Sequence, residues 1–398
     1  MDHHPGQQGG FDAGGGGPAC FAGYGPGVHP LSELPARRRG TRTGFTTGAC
    51  AAAAAQAATL ALRCGQLPAM VQTRLPNGQV IPFAVAAGSV SAQQASAVVI
   101  KDAGDDPDCT HGARLTAHVR LLAGEAGRLQ LRGGDGVGIV TRPGLGLPLQ
   151  EHAINPVPRR NILDNAREAA GDWLVQNGLE IVISVPGGEE LAKRTLNPRL
   201  GILGGLSILG TSGIVYPYST VAFKAAMQQS IQAAAALQLP ALVLTTGRRT
   251  ERFAMQQLPD LPESAFIQMG DFVGAALHSC SQEAISTLYV AAMVGKLAKI
   301  GQGFSNTHAH KGRVDMAWLA RLAAEAGADA TLCRQVQEGV TVRHASELLA
   351  ERGLEQAFLQ QLVAAARSAM LRRLPVGCHL TLFAFDFAGQ LCATGADS

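Results

Sequence analysis

Aromatic residues are scarce in this chain: two Trp and four Tyr, with FWY at 5% of 398 residues. That argues against base-stacking nucleic-acid platforms, which need aromatic faces. Charge of one sign is also missing, since 33 basic against 30 acidic side chains give a net +3. A strongly basic polymer binder and an acidic disordered tail protein are both excluded. Eight cysteines are too dilute for a disulfide scaffold, and none forms a CxxC pair. A reducing cytoplasm fits that usage. No uncharged apolar run approaches the ~18 residues of a membrane span. Residues 1–30 lack the basic start and apolar block of a secretory signal. No repeat of fixed period is present.

What is present begins with Gly and Pro. Residues 1–35, with Gly14 to Gly17 in a row, cannot bury enough surface to offset backbone entropy, and a disordered tail is expected. His3 and His4 in it are a lone pair and carry no metal reading, and no metal site is expected elsewhere. Next comes GFTTGAC and a long Ala-rich segment. Thr46 or Thr47 can cap a helix running from about 48 to 63. Leu75-Pro-Asn-Gly78 is a turn between strands. Val80–Val85, Val98–Ile100, Leu115–Leu122 and Leu129–Leu131 read as strands. Hairpins with one helix suggest an α+β domain over 36–165.

From 166 to 398 the rhythm becomes strand–helix alternation. LEIVISV (179–185), LVLT (242–245), FIQM (266–269) and 288–294 read as buried parallel strands. Helices are expected at 220–237, 251–257, 273–284 and through 314–373, and a closing strand at His379–Phe387. This implies an α/β domain with a mostly parallel, Rossmann-like sheet and ligands at the carboxyl ends of its strands.

Four segments carry candidate chemistry. GILGGLSILGTSG (201–213) has glycines that let N–H groups approach a ligand and hydroxyls that add donors. Gly205 to Gly210 has phosphate-loop spacing, but Thr211 stands where that loop requires Lys. Thr245-Thr246-Gly247 follows a strand, and Asp271 follows the next, where it can hold a ribose or amine or cap the helix after it. KDAGDDPDCTHG (101–112) crowds Asp102, Asp105, Asp106 and Asp108 beside His111. Mutual repulsion there can raise one carboxyl into proton-transfer range, or the segment is a solvated turn. Short basic clusters at Arg37–Arg42, Arg142, Arg159, Arg199 and Arg248–Arg252 suit a small polyanion. His308 and His310 at i and i+2 would point to opposite sides of a strand.

In order, GFTTGAC, KDAGDDPDCTHG, GGDGVGIVTRPGL, INPVPR, NPRLGILGGLSILGTSGIV, GDFVG and NTH resemble the cobalt-precorrin-5B (C1)-methyltransferase family of anaerobic corrin synthesis. The resemblance covers about Arg38 to Asp315, with Ala49 and Arg248 departing from the family's pattern. It implies methyl transfer from S-adenosylmethionine to ring carbon 1 of a cobalt-containing corrin precursor, with the cobalt arriving in the substrate. It also implies a fold unlike the usual two-domain corrin methyltransferases. On that resemblance Asp105, Asp106 and His111 are catalytic candidates. Gly204, Gly205, Ser207, Gly210, Thr211, Ser212, Thr245, Thr246, Gly247 and Asp271 are expected at the donor. Thr46, Thr47, Lys101, Asp102, Arg142, Arg159, Arg199, Asn306 and His308 are expected at the macrocycle. A non-catalytic tetrapyrrole carrier and a phosphate-loop nucleotide enzyme are the alternatives. No nucleic-acid or membrane partner is expected, and a homo-oligomer is left open.

Overall fold

A computed structural model describes residues 40–386 and 388–396. The Gly/Pro-rich tail, His3, His4, Arg37 to Arg39 and Phe387 lie outside them. Helix α1 (Thr47–Cys64) starts where Thr46, in extended conformation, accepts a hydrogen bond from Ala49 N, and ends at Gly65 with φ 74°. Ala-rich sequence favours the helix and also lets neighbours approach closely. Nearly every residue of α1 is buried, on all faces.

Strands β1 (Met70–Arg74) and β2 (Val80–Ala84) form a separate hairpin. Strands β3 (Ala87–Val90), β4 (Gln94–Ile100), β5 (Arg114–Leu122) and β6 (Leu129–Gly133) belong to a five-stranded sheet. Helix α2 (Pro156–Ala170) begins with Pro at its first position, where the missing N–H costs nothing. It packs on α1. The fifth strand of the sheet is β7 (Gly178–Ser184), the LEIVISV run. It lies between β5 and β6, antiparallel to the first and parallel to the second. The sequence reading had placed this run in the second, parallel sheet. An apolar run reports burial on both faces but carries no information about its partners or their direction.

Short helices α3 (Gly188–Ala192) and α4 (Asn197–Leu200) lead to α5 (Thr220–Ala236), capped by Ser219. The second sheet uses β8 (Leu242–Thr245), β9 (Phe266–Gln268), β10 (Thr287–Met293), β11 (His379–Phe385) and β12 (Leu391–Gly395). Its order is β9-β8-β10-β11-β12, parallel except for the last strand. Helices α6 (Arg248–Gln257), α7 (Val273–Gln282) and α8 (Val294–Gly301) follow β8, β9 and β10 in turn. Helices α9 (Met316–Glu325), α10 (Ala330–Glu338), α11 (Val342–Ala350) and α12 (Glu355–Leu371) fill the segment before β11. Asp315, Asp329 and Thr341 cap the first three. Among the described residues no helix is long and apolar enough to cross a membrane.

Two large core clusters result, with two smaller ones beside them. One surrounds α1 and the first sheet, and the other lies between the second sheet and the helices around it. The chain threads between them through two-residue pairings. Gly44–Phe45 pairs antiparallel with Ile214–Val215, Ile202–Leu203 with Ile139–Val140, and Gly205–Leu206 runs parallel to Gly136–Val137. These stitches set the geometry of the site.

Candidate active site

The 44–47, 101–110 and 195–209 segments meet around a cavity of about 250 Å³. Thr46 and Thr47 contribute the start of α1, Lys101, Asp108 and Thr110 the acidic loop, and Asn197, Ser207 and Leu209 the facing loop. Thr47 fixes the two walls to each other: its Oγ1 donates to Ser207 O at 3.0 Å and accepts from Leu209 N at 2.9 Å. Asn197 Nδ2 donates to Gly205 O at 3.0 Å, and Ser207 Oγ donates to Asn197 Oδ1 at 3.1 Å. Phe45 N donates to Asp102 O at 2.7 Å, which ties the acidic loop to the same frame.

Lys101 is 1% exposed, and its ammonium lies 2.6 Å from Asp108 Oδ2. Asp108 Oδ1 also accepts from Thr110 N at 2.8 Å and Thr110 Oγ1 at 2.7 Å. Asp105 and Asp106 point elsewhere. Asp105 Oδ2 accepts from Arg42 N at 2.8 Å, and Asp106 Oδ1 from Tyr218 N at 2.9 Å. His111 Nδ1 accepts from Ala103 N at 3.1 Å. The carboxylate that lines the cavity is therefore Asp108, which sequence reasoning passed over in favour of its neighbours. Asp102 is bound by the Arg42 guanidinium and by Gly104 N.

Asp102 and Asp108 are shifted down rather than up. Hydrogen bonds from Arg42 and Gly104 hold Asp102 below the usual carboxylate range. For Asp108, burial opposes ionisation, but Lys101 and Thr110 outweigh it and hold the pKa down. Arg42 serves both Asp102 and Asp105, Lys101 serves Asp108, and Tyr218 N serves Asp106.

A second polar cluster lies at the carboxyl ends of β8, β9 and β10. Lys296 Nζ donates to Thr246 O at 3.0 Å and lies 3.1 Å from Asp271 Oδ1. Thr307 Oγ1 donates to Asp271 Oδ1 at 2.9 Å, and Lys299 Nζ donates to the carbonyls of Thr307 and His308. Burial opposes ionisation of Asp271, yet Lys296 and Thr307 keep its pKa below the usual value. Its carboxylate thus serves this cluster, and the side chain does not cap α7. Asn306 Oδ1 accepts from His308 N, and a single turn of 3-10 helix, Ala309–Lys311, follows. The His308 and His310 rings lie 5.3 Å apart, so this segment is not the strand that sequence spacing suggested.

The expected donor and macrocycle sets are therefore redistributed. Ser207 lines the first cavity with Thr46, Thr47 and Lys101, and Gly210 backs onto the Thr46 side chain. Thr246, Gly247 and Asp271 lie in the second cluster with Asn306 and His308. Thr245 is fully buried beneath it. Gly205 lies in a strand pairing, not in a phosphate-cradling turn, and Ser212 Oγ bonds only its own turn at Ile214. Gly204 separates two of the short pairings, and Thr211 is exposed. Arg199 pairs with buried Glu251 at 2.7 Å, linking α4 to α6. Arg159 faces Leu131 O and Glu151, and the Arg142 stem covers Gly201. Lys296 was invisible in the sequence: nothing local marks it, and only the position of β10 beside β8 brings it to Thr246.

The CbiD family model matches residues 34–217, and the model of the CbiD C-terminal domain matches residues 306–396. A Dechloromonas aromatica protein named cobalt-precorrin-5B C(1)-methyltransferase is 55% identical, over 91% of this chain and 93% of its own. The chain belongs to the CbiD family. CbiD relatives bearing the same name in Methylococcus capsulatus and Geobacillus kaustophilus are 53% and 45% identical, over 94% and 93% of their lengths. A crystal structure of the cobalamin biosynthesis protein CbiD from Archaeoglobus fulgidus matches 65% of this chain and 79% of that one. The identity is 28% and the TM-score 0.37, too low to carry an argument about the fold.

For this CbiD chain the depressed acids set an acid limit. A carboxyl whose folded pKa lies below its unfolded value of ~3.9 stabilises the fold above that value and loses the contribution as pH falls through the folded one. Thermal melts should fall only slightly between about pH 7 and 5, where half-buried His152 resists protonation, and decline steeply below about pH 4. A decline already complete at pH 6 would show that other groups govern acid stability.

Proposed function

We propose that this chain transfers a methyl group from S-adenosylmethionine to ring carbon 1 of cobalt-precorrin-5B, giving cobalt-precorrin-6A. Membership of a family whose relatives carry that name is the main support. The observation in this structure that supports it most is the convergence of the acidic loop and the 195–209 loop on one cavity.

The second sheet works here in the Rossmann-like way, with its ligand at the carboxyl ends of parallel strands. Thr246, Gly247 and Asp271 hold the donor there, with Asp271 accepting from a ribose hydroxyl or the donor's ammonium. The first cavity, about 250 Å³, is smaller than the ~300–1,000 Å³ typical of pockets for whole small ligands. It takes one arm of the macrocycle, its apolar walls around the methylene stem and the Thr46 and Ser207 side chains on its polar side. Cobalt enters as part of this substrate.

In the transfer, an electron pair on the ring carbon forms the new C–C bond. The C–S bond breaks with its pair going to sulfur, and the positive charge passes to the macrocycle. Such a displacement needs alignment and exclusion of water more than a protein base. Positioning alone can contribute up to ~7–11 kcal/mol.

Mass spectrometry of cobalt-precorrin-5B incubated with the protein and methyl-labelled donor tests the reaction, with one labelled methyl gained as the expected result. No gain with an intact substrate would overturn it. Asp271→Asn should weaken donor binding by about 10–100-fold, the scale of a charge-assisted hydrogen bond of ~1.5–3 kcal/mol. Calorimetry with S-adenosylmethionine measures it, and unchanged affinity would move the donor away from the second sheet.

A further inference from the structure

Helix α5 leaves apolar side chains uncovered where a surface helix normally hides them. Thr220 through Ala225 are all exposed, so its first turn and a half stands clear of the body. Val221 is 76% and Phe223 40% exposed, and Tyr216 and Tyr218 just before the helix are 58% and 53% exposed. Single exposed apolar residues are ordinary, but a contiguous group of this kind marks a ligand or partner surface.

The strip joins the two polar clusters. At one side Val215 and Ala226, which flank it in the chain, line the arm cavity. Tyr218 N is bonded to Asp106 of the acidic loop. At the other side the Phe223 ring lies 5.6 Å from that of Phe272, next to Asp271. Lys224 Nζ lies 5.0 Å over the same Phe272 ring and adds a cation to the strip's edge.

We propose that residues 216–223 form the platform on which the flat face of the macrocycle lies. This deepens the methyl-transfer reading and rests on it. The occupant that fits is a large, flat, apolar ring with an anionic rim. Its face lies on Tyr216 and Val221 with an edge against Phe223, one arm enters the cavity lined by Thr46 and Ser207, and another meets Lys224. Charge favours this over a second copy of the chain, because residues 216–224 carry Lys224 and no acid, so a second strip offers no counter-charge where an anionic rim does. Lying there, the ring spans from the arm cavity to the donor cluster, as transfer of a methyl between them requires.

The test uses the full chain with Val221→Asp and Tyr216→Ser, and a stable cobalt corrin bearing free carboxylates as probe. Corrin binding is followed by the shift in visible absorption, donor binding by calorimetry, and mass by sedimentation. V221D should weaken corrin binding at least tenfold and Y216S about threefold, with donor affinity within twofold and mass unchanged. Should V221D melt early, Val221→Thr, close in shape but polar, carries the same comparison. Corrin binding by the variants within twofold of the parent overturns the platform, as does a variant that splits a parent dimer into monomers. A parent that methylates the corrin precursor while the variants do so equally well sinks the platform alone. A parent that neither binds the corrin nor transfers methyl sinks the functional reading with it.

Discussion

Asp108→Asn should cost the protein about 3–5 kcal/mol, the usual loss when one member of a buried ion pair is removed. The reason is asymmetric burial. Asp108 is 25% exposed and can reach water, but the Lys101 side chain is 1% exposed and cannot. An amide at 108 leaves that ammonium without its counter-charge, and Thr110 loses the carboxylate its N–H and hydroxyl both donate to. Thermal or urea unfolding of the variant measures the loss. The double variant Lys101→Met, Asp108→Leu should recover most of it, because an apolar pair of similar volume has no charge to desolvate. Additive losses in the double variant would show that the two side chains do not act as a pair. The double variant also separates stability from function. It should fold, so that any change in its substrate affinity reads on the cavity apart from stability.

Gly205→Ala should be the most damaging single methyl in the 201–213 loop. A Cβ there falls 2.3 Å from the carbonyl carbon and oxygen of Gly136 and 2.7 Å from Gly138 N, all backbone atoms. Overpacking of this sort costs ~1–3 kcal/mol when side chains can yield, and more where only main chain is in the way. Loss above ~3 kcal/mol is therefore expected, with the Gly205–Leu206 pairing to Gly136–Val137 broken. Circular dichroism melts give the number. A stable Gly205→Ala protein that had lost only donor binding would restore the ligand-cradling role that sequence reasoning gave this glycine.

That contrast shows where sequence reading stopped. The start of α1 was legible because a hydroxyl before an Ala run has one local meaning, and Thr46 does cap it. Strands β8, β9, β10 and β11 were legible from apolar runs between helical segments. The partnering of β7 was not, since burial on both faces is common to central strands of either sheet. Five glycines in 201–213 were seen as room for a ligand. At Gly205 the room is taken by another stretch of the same chain, which no local pattern encodes. Asp105 and Asp106 were singled out among the four aspartates of the loop, yet only the fold decides that Asp108 meets Lys101 while Asp106 meets Tyr218. Asn306 and His308 joined Asp271 rather than Thr46 because α8 carries Lys296 and Lys299 to both segments.

Helix α1 has one more implication. Its buried face is alanine on every side, from Ala51 through Ala58 with only Gln56 intervening. Alanine has no rotamers to freeze, so this helix orders at little side-chain entropy. By the same fact it has no side chain that can swing aside to absorb an insult. The second core, with Phe358, Met370, Leu362 and their neighbours, can shuffle rotamers around a changed residue. Tolerance to variation should thus be lopsided: permissive around the parallel sheet, and close to nil along the alanine rod.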